Sequence, residues 1–80
     1  MTSPYPMDKS AIYQIEVYGA LDDSWASYFE GLQIQIKPIP GNGVHTVLTG
    51  RLPDQAAVQG TLQKLYALSH ALISVHKISS

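Results

Sequence analysis

Two histidines and one glutamate are the residues of this 80-residue chain best suited to chemistry: His45, His76 and Glu16. Two imidazoles and a carboxylate form a ligand set for a divalent metal such as zinc, and a histidine held by a carboxylate forms a general base. Either use depends on which strands carry them. Alternation puts His45 and His76 on strands flanking the one with Glu16, so the rings are about 9–10 Å apart if level, given strand spacing near 4.8 Å. That separation is long for one ion, and no pair of histidines has the four-residue spacing of a helical site. Surface histidines are therefore the expectation, with no metal site; His70 falls in a connection and is expected to be exposed. No Gly-x-Ser-x-Gly elbow, phosphate-binding glycine loop, dinucleotide fingerprint or cysteine nucleophile occurs, so no catalytic residue and no cofactor are expected.

A second pattern repeats. Gly19-Ala-Leu21-Asp-Asp23 and Gly50-Arg-Leu52-Pro-Asp54 share Gly-x-Leu-x-Asp. Each is expected to end a strand and open a helix: the glycine takes an unusual backbone angle, the leucine tucks under the helix and the aspartate caps it. A helix start can bind phosphate through its free amides, but Asp22 and Asp23 repel an anion there. With Asn42, in the turn opposite, Gly19, Asp22 and Asp23 form the candidate set for a small-molecule site.

The elements that must position these residues follow from periodicity. Residues 1–10, with Pro4 and Pro6, read as a loose tail before one domain, 11–80. From Ile12 to Gly19, Tyr13, Ile15 and Val17 alternate with Gln14, Glu16 and Tyr18, a half-buried strand. Asp22 or Asp23 then caps a short first helix in which Trp25, Tyr28 and Phe29 recur at helical spacing, Trp25 and Phe29 as core anchors, with Gly31 ending it. Leu32, Ile34 and Ile36 alternate with Gln33, Gln35 and Lys37 until Pro38 and Pro40. The run Pro40-Gly-Asn-Gly43 turns the chain into a strand over 44–49. Asp54 caps a second helix with the stripe Val58, Thr61, Leu62, Leu65 and Leu68, leaving Tyr66 outside. Gly60 in that helix suggests close approach to the sheet. A last strand runs from about 72 to 78. The order β-α-β-β-α-β predicts an α+β, ferredoxin-like sandwich: a four-stranded antiparallel sheet, strands ordered 4-1-3-2, with two helices on one face.

Asp54-Gln-Ala-Ala57, Gly60, Leu62, Leu68 and Leu72-Ile-Ser-Val75, with Trp25 and Phe29, resemble a family of small, mostly uncharacterised prokaryotic ferredoxin-like proteins. Its members carry a Gly-x-Leu-x-Asp-Gln-Ala-Ala-Leu helix and a Leu-Leu-Ser-Val strand. Ser69-His70 stands where that family has a Gly-Leu pair. The resemblance implies the fold and no nameable activity.

With both helices on one face, the other face of the sheet is left open and is where a function would sit. Alternation assigns to it Gln14, Glu16, Tyr18, Gln33, Gln35, Lys37, His45, Val47, Thr49, Ser74 and His76. This face is polar and nearly uncharged. Neutral Gln, Thr and Tyr are cheaper to desolvate than Lys or Glu, which suits a protein contact. RNA-binding sheets of this architecture need several stacking aromatics in a basic surround, and Tyr18 alone does not supply that.

Composition agrees. The chain is 45% apolar and only 14% charged, with net charge −1 and five scattered Lys and Arg residues, so no footprint for nucleic acid is visible. There is no cysteine, no signal-peptide pattern and no apolar run of the ~20 residues that cross a bilayer, so a cytoplasmic protein with no membrane contact is expected. The expected function is a non-catalytic protein-interaction module acting through the open face or a sheet edge. Its partner is unknown, and homodimerisation is the simplest form. The alternative is a small-molecule-sensing regulatory domain.

Overall fold

In a computed structural model, residues 10–25, 27–29, 31–41 and 43–79 are described, Asp23 by its backbone alone. Four strands form one sheet: β1 (Ala11–Tyr18), β2 (Gln33–Pro38), β3 (Val44–Leu52) and β4 (Leu72–Ser79). The order across the sheet is β2-β3-β1-β4, and every neighbouring pair is antiparallel. One α-helix, α1 (Gln55–Ala67), lies against β3 and β4.

The ferredoxin-like sandwich with two helices is not what forms. Where the first helix was expected, the described residues make one 3-10 turn, Asp23–Trp25. The bonds there are mostly short-range: Trp25 N donates to Asp22 O, Tyr28 N to Trp25 O and Leu32 N to Phe29 O, each spanning three residues, and a single four-residue bond, Phe29 N to Trp25 O at 3.2 Å, is not continued. The physical reason lies in the sequence. Asp22, Ser24 and Ser27 prefer to hydrogen-bond nearby backbone, and Asp22 Oδ1 does accept from Ser24 N at 3.0 Å. With fewer than ten residues between Asp22 and Gly31, a helix has too few internal bonds to offset nucleation. The aromatic spacing still works through a turn: Phe29 is buried, whereas Trp25, expected in the core, is 39% exposed.

The connection is fastened to the sheet instead by Thr46, which is fully buried on β3. Its Oγ1 accepts from Leu21 N at 2.8 Å and donates to Gly19 O at 2.6 Å. Further along, the connection returns beneath Gly50, where a Cβ would sit 2.6 Å from Gly31 O and 2.8 Å from a Leu32 methyl. Gly50 is thus required by close approach of backbone, not by the strand-exit angle expected of it. Gly19, at φ +86°, does serve as such an exit. Gly60 contradicts its expectation: a Cβ there would meet nothing within 4 Å.

The second junction forms as read. Asp54 Oδ1 accepts from Ala57 N at 2.8 Å and caps α1. Val58, Thr61 and Leu65 are buried beneath it, with Leu62 and Leu68 half-buried. The core joins these to Tyr13, Ile15 and Val17 of β1, Leu48 and Leu52 of β3, and Leu21, Phe29 and Leu32 of the connection. Each fully buried aliphatic or aromatic side chain contributes about 1.5–3 kcal/mol. Among the described residues no second helix covers β2, and Ile36 on the helix side of the sheet remains 44% exposed. Apart from Ser10, the tail assigned to residues 1–10 lies outside the described residues.

Candidate functional site

Register places the open-face residues in rows that run across the strands. One row is Gln33, Thr49, Gln14 and His76; the next is Gln35, Val47, Glu16 and Ser74; the third is Lys37, His45 and Tyr18. Every residue assigned to this face by alternation therefore lies on it. The strands run longer than their periodicity suggested, and this adds Ile12, Arg51 and Ser79, which pair with one another at the far end. Ile12 already lies within the strand expected over 12–19, and carrying the period of two on to Arg51 would have found its partner.

The histidines do not converge. His45 is level with Tyr18 and His76 with Gln14, an offset of four residues, about 13 Å along the strands. Among the described residues no group of three His, Asp or Glu is placed to hold a metal. His45 instead pairs with Glu16, Nδ1 to Oε2 at 2.7 Å, and Lys37 Nζ is 3.7 Å from the same oxygen. The His45 contact, with Lys37 nearby, holds the Glu16 carboxyl below its ordinary value of 4.5, so the carboxylate accepts and the imidazole Nδ1 donates. The Tyr18 ring meets His45 edge-on, centroids 5.1 Å apart. Beside this cluster Val47 is buried although it faces away from the core, because Gln14, Glu16, Gln35 and Lys37 rise around it and rim a shallow open depression.

The small-molecule set fares differently. Gly19 N donates to Val44 O at 3.0 Å and Gly19 O accepts from Thr46, so both its backbone groups are engaged. Asp22 spends its carboxylate on the local turn. The side chain of Asp23 and all of Asn42 lie outside the described residues. His70, expected to be exposed in its connection, is half-buried, and its Nδ1 donates to Tyr18 O at 2.8 Å.

No helix among the described residues is long and apolar enough to cross a membrane. No curated protein and no solved structure matches the chain. One family model does, described as Domain of unknown function (DUF8691), and it spans residues 12–76, from the first open-face residue of β1 to His76 of β4. The match supports the resemblance to uncharacterised proteins but has no bearing on a ferredoxin-like relation. Because it covers well over half of its 80 residues, the chain belongs to the DUF8691 family of domains of unknown function.

Proposed function

We propose that this protein is an interaction module that meets a protein partner through the open face of its sheet. The observation that carries this reading is the three-row array around Val47, whose first two rows carry uncharged Gln14, Gln33, Gln35, Thr49 and Ser74 beside Glu16 and His76. The carboxylate in its central row, Glu16, is already held by His45 and Lys37 within the face, which lowers the cost of covering it. The sheet edges are poorer candidates. β2 is short, carries Lys37 and ends at Pro38, while β4 has register shifts near both ends and carries Lys77. Prolines, lysines and bulges are the devices that keep edge strands from pairing. Small-molecule sensing has less support, since the backbone groups of Gly19 that would hold a ligand are taken.

A photo-reactive side chain at Thr49, compared with one at Tyr66 on the exposed side of α1, tests the reading in host extract. Protein adducts from position 49 and not from 66 are expected. Adducts from 66 alone, or from neither position, contradict it.

A further inference from the structure

We propose that the chain's own residues before Ser10 fill a groove on the helix side of the sheet, running as an extended segment between β3, α1 and Phe29. This is independent of the open face. The groove is lined along α1 from Ala57 to Lys64, about 10 Å, and opposite by Phe29 and the end of β3 at Arg51, Leu52 and Pro53. At its far end Lys64 Nζ donates to Tyr28 O at 3.1 Å, so the two walls are fixed to each other. Its volume is about 260 Å³, below the roughly 300–1,000 Å³ of ordinary small-molecule sites and better suited to a strip of chain.

Two observations name the occupant. The last pair of β2 with β3 is Gln33 with Thr49, so among the described residues Arg51 and Leu52 have no partner strand on that side. On the other side Ala11 pairs with Leu52, and one more step of that register sets Ser10 beside Pro53. Arg51 Nη1 donates to Ser10 Oγ at 3.1 Å and fastens the chain there. The segment before Ser10 therefore starts at the mouth of the groove. Nine extended residues span up to ~30 Å, enough to round Pro53 and follow α1 to Lys64. The sequence of the segment fits the route. Carried back from β1, the period of two sets Asp8 on the side of Ser10, where Arg51 is, and Lys9, Met7 and Tyr5 on the helix side with Ala11 and Tyr13. Two steps of register bring Lys9 opposite Asp54. The entry is thus charge-matched twice, Asp8 with Arg51 and Lys9 with Asp54, and Met7 and Tyr5 are the apolar groups that enter. Pro4 and Pro6 alternate with them on the outer side and keep the segment extended, the form in which proline-containing chains dock in aromatic-lined grooves.

Paramagnetic relaxation in the full chain tests this. The sequence has no cysteine, so Ser3→Cys takes a single nitroxide. In an isotope-labelled chain carrying it, the amides of Ala57, Gly60 and Lys64 are expected to lose the most intensity. Two further substitutions are expected to restore those signals. Gly60→Leu starts a side chain where a Cβ meets nothing within 4 Å, and so occupies the groove without displacing a neighbour. Asp8→Lys sets a like charge against Arg51. Circular dichroism checks that both variants fold, and Asp8→Lys, which precedes the sheet, decides the matter if Gly60→Leu does not. Losses confined to Ser10, Asp54 and Ser79, or centred on Gln14 and Thr49 of the open face, overturn the proposal, as does a pattern that Asp8→Lys leaves unchanged. Equal losses in an isotope-labelled chain mixed with a separate spin-labelled one put the segment of a second copy in the groove and overturn the chain's own segment as its occupant.

Discussion

Thr46 shows how much one side chain supports in a chain whose described residues form a 3-10 turn in place of the expected first helix. Its hydroxyl serves both Gly19 O and Leu21 N, two backbone groups that a helix-free connection would otherwise bury unpaired. Replacing it with the nearly isosteric valine removes both partners at once. Thr46→Val is expected to cost about 1–3 kcal/mol, read from urea midpoints, with the connection from Gly19 to Leu21 losing hydrogen-exchange protection first. Glu16 carries a pH dependence of known sign. Its carboxyl is held below 4.5 by the His45 contact, so its contribution to stability is full above that value and is lost as pH falls through the lower folded value. Melting temperatures of wild type and Glu16→Gln are therefore expected to differ most near neutrality and to converge toward pH 3. A gap that widens on acidification would contradict the His45–Glu16 pair as the cause.

At the scale of elements, α1 has a well-formed start and two weak places. Gly60 meets nothing, so it costs helix stability without a packing return, and Gly60→Ala is expected to raise stability by about 1 kcal/mol, near 4–8 °C in melting temperature. At the other end Ser69 N donates to Tyr66 O and His70 N to Leu65 O, closing the helix with Ser69 at φ +67°. Glycine is the residue that takes this angle without strain, and Ser69→Gly is expected to gain roughly 0.5–1 kcal/mol in the same melts. Either variant melting below wild type would show an unrecognised contact. The strands and α1 were legible because alternation, the Asp54 cap and the apolar stripe agree with one another. The first helix was misread because Trp25, Tyr28 and Phe29 imitate helical period over a span too short to form one. The open-face rows were legible because a period of two fixes which side of a sheet each residue takes. The hydroxyl of Thr46 was not, since its partners are 25 and 27 residues away and no local pattern announces them.

For the whole molecule, losing one helix moves the balance between covered and uncovered surface. The helix side is only partly closed, with Ile36, Trp25 and Tyr28 exposed around the connection, while the opposite side presents ordered rows in which His45 and Lys37 hold Glu16. Three surfaces therefore compete to meet a partner: the open face, the β2 and β4 edges, and the half-covered helix side. Amide chemical shifts of the full chain, followed from dilute to concentrated solution, separate them in one experiment. Changes centred on Gln14, Glu16, Gln35, Val47 and Thr49 are the result expected of contact through the open face. Changes confined to the outer edge of β4, or to Trp25, Tyr28 and α1, would contradict the open face as the place where this protein makes contact.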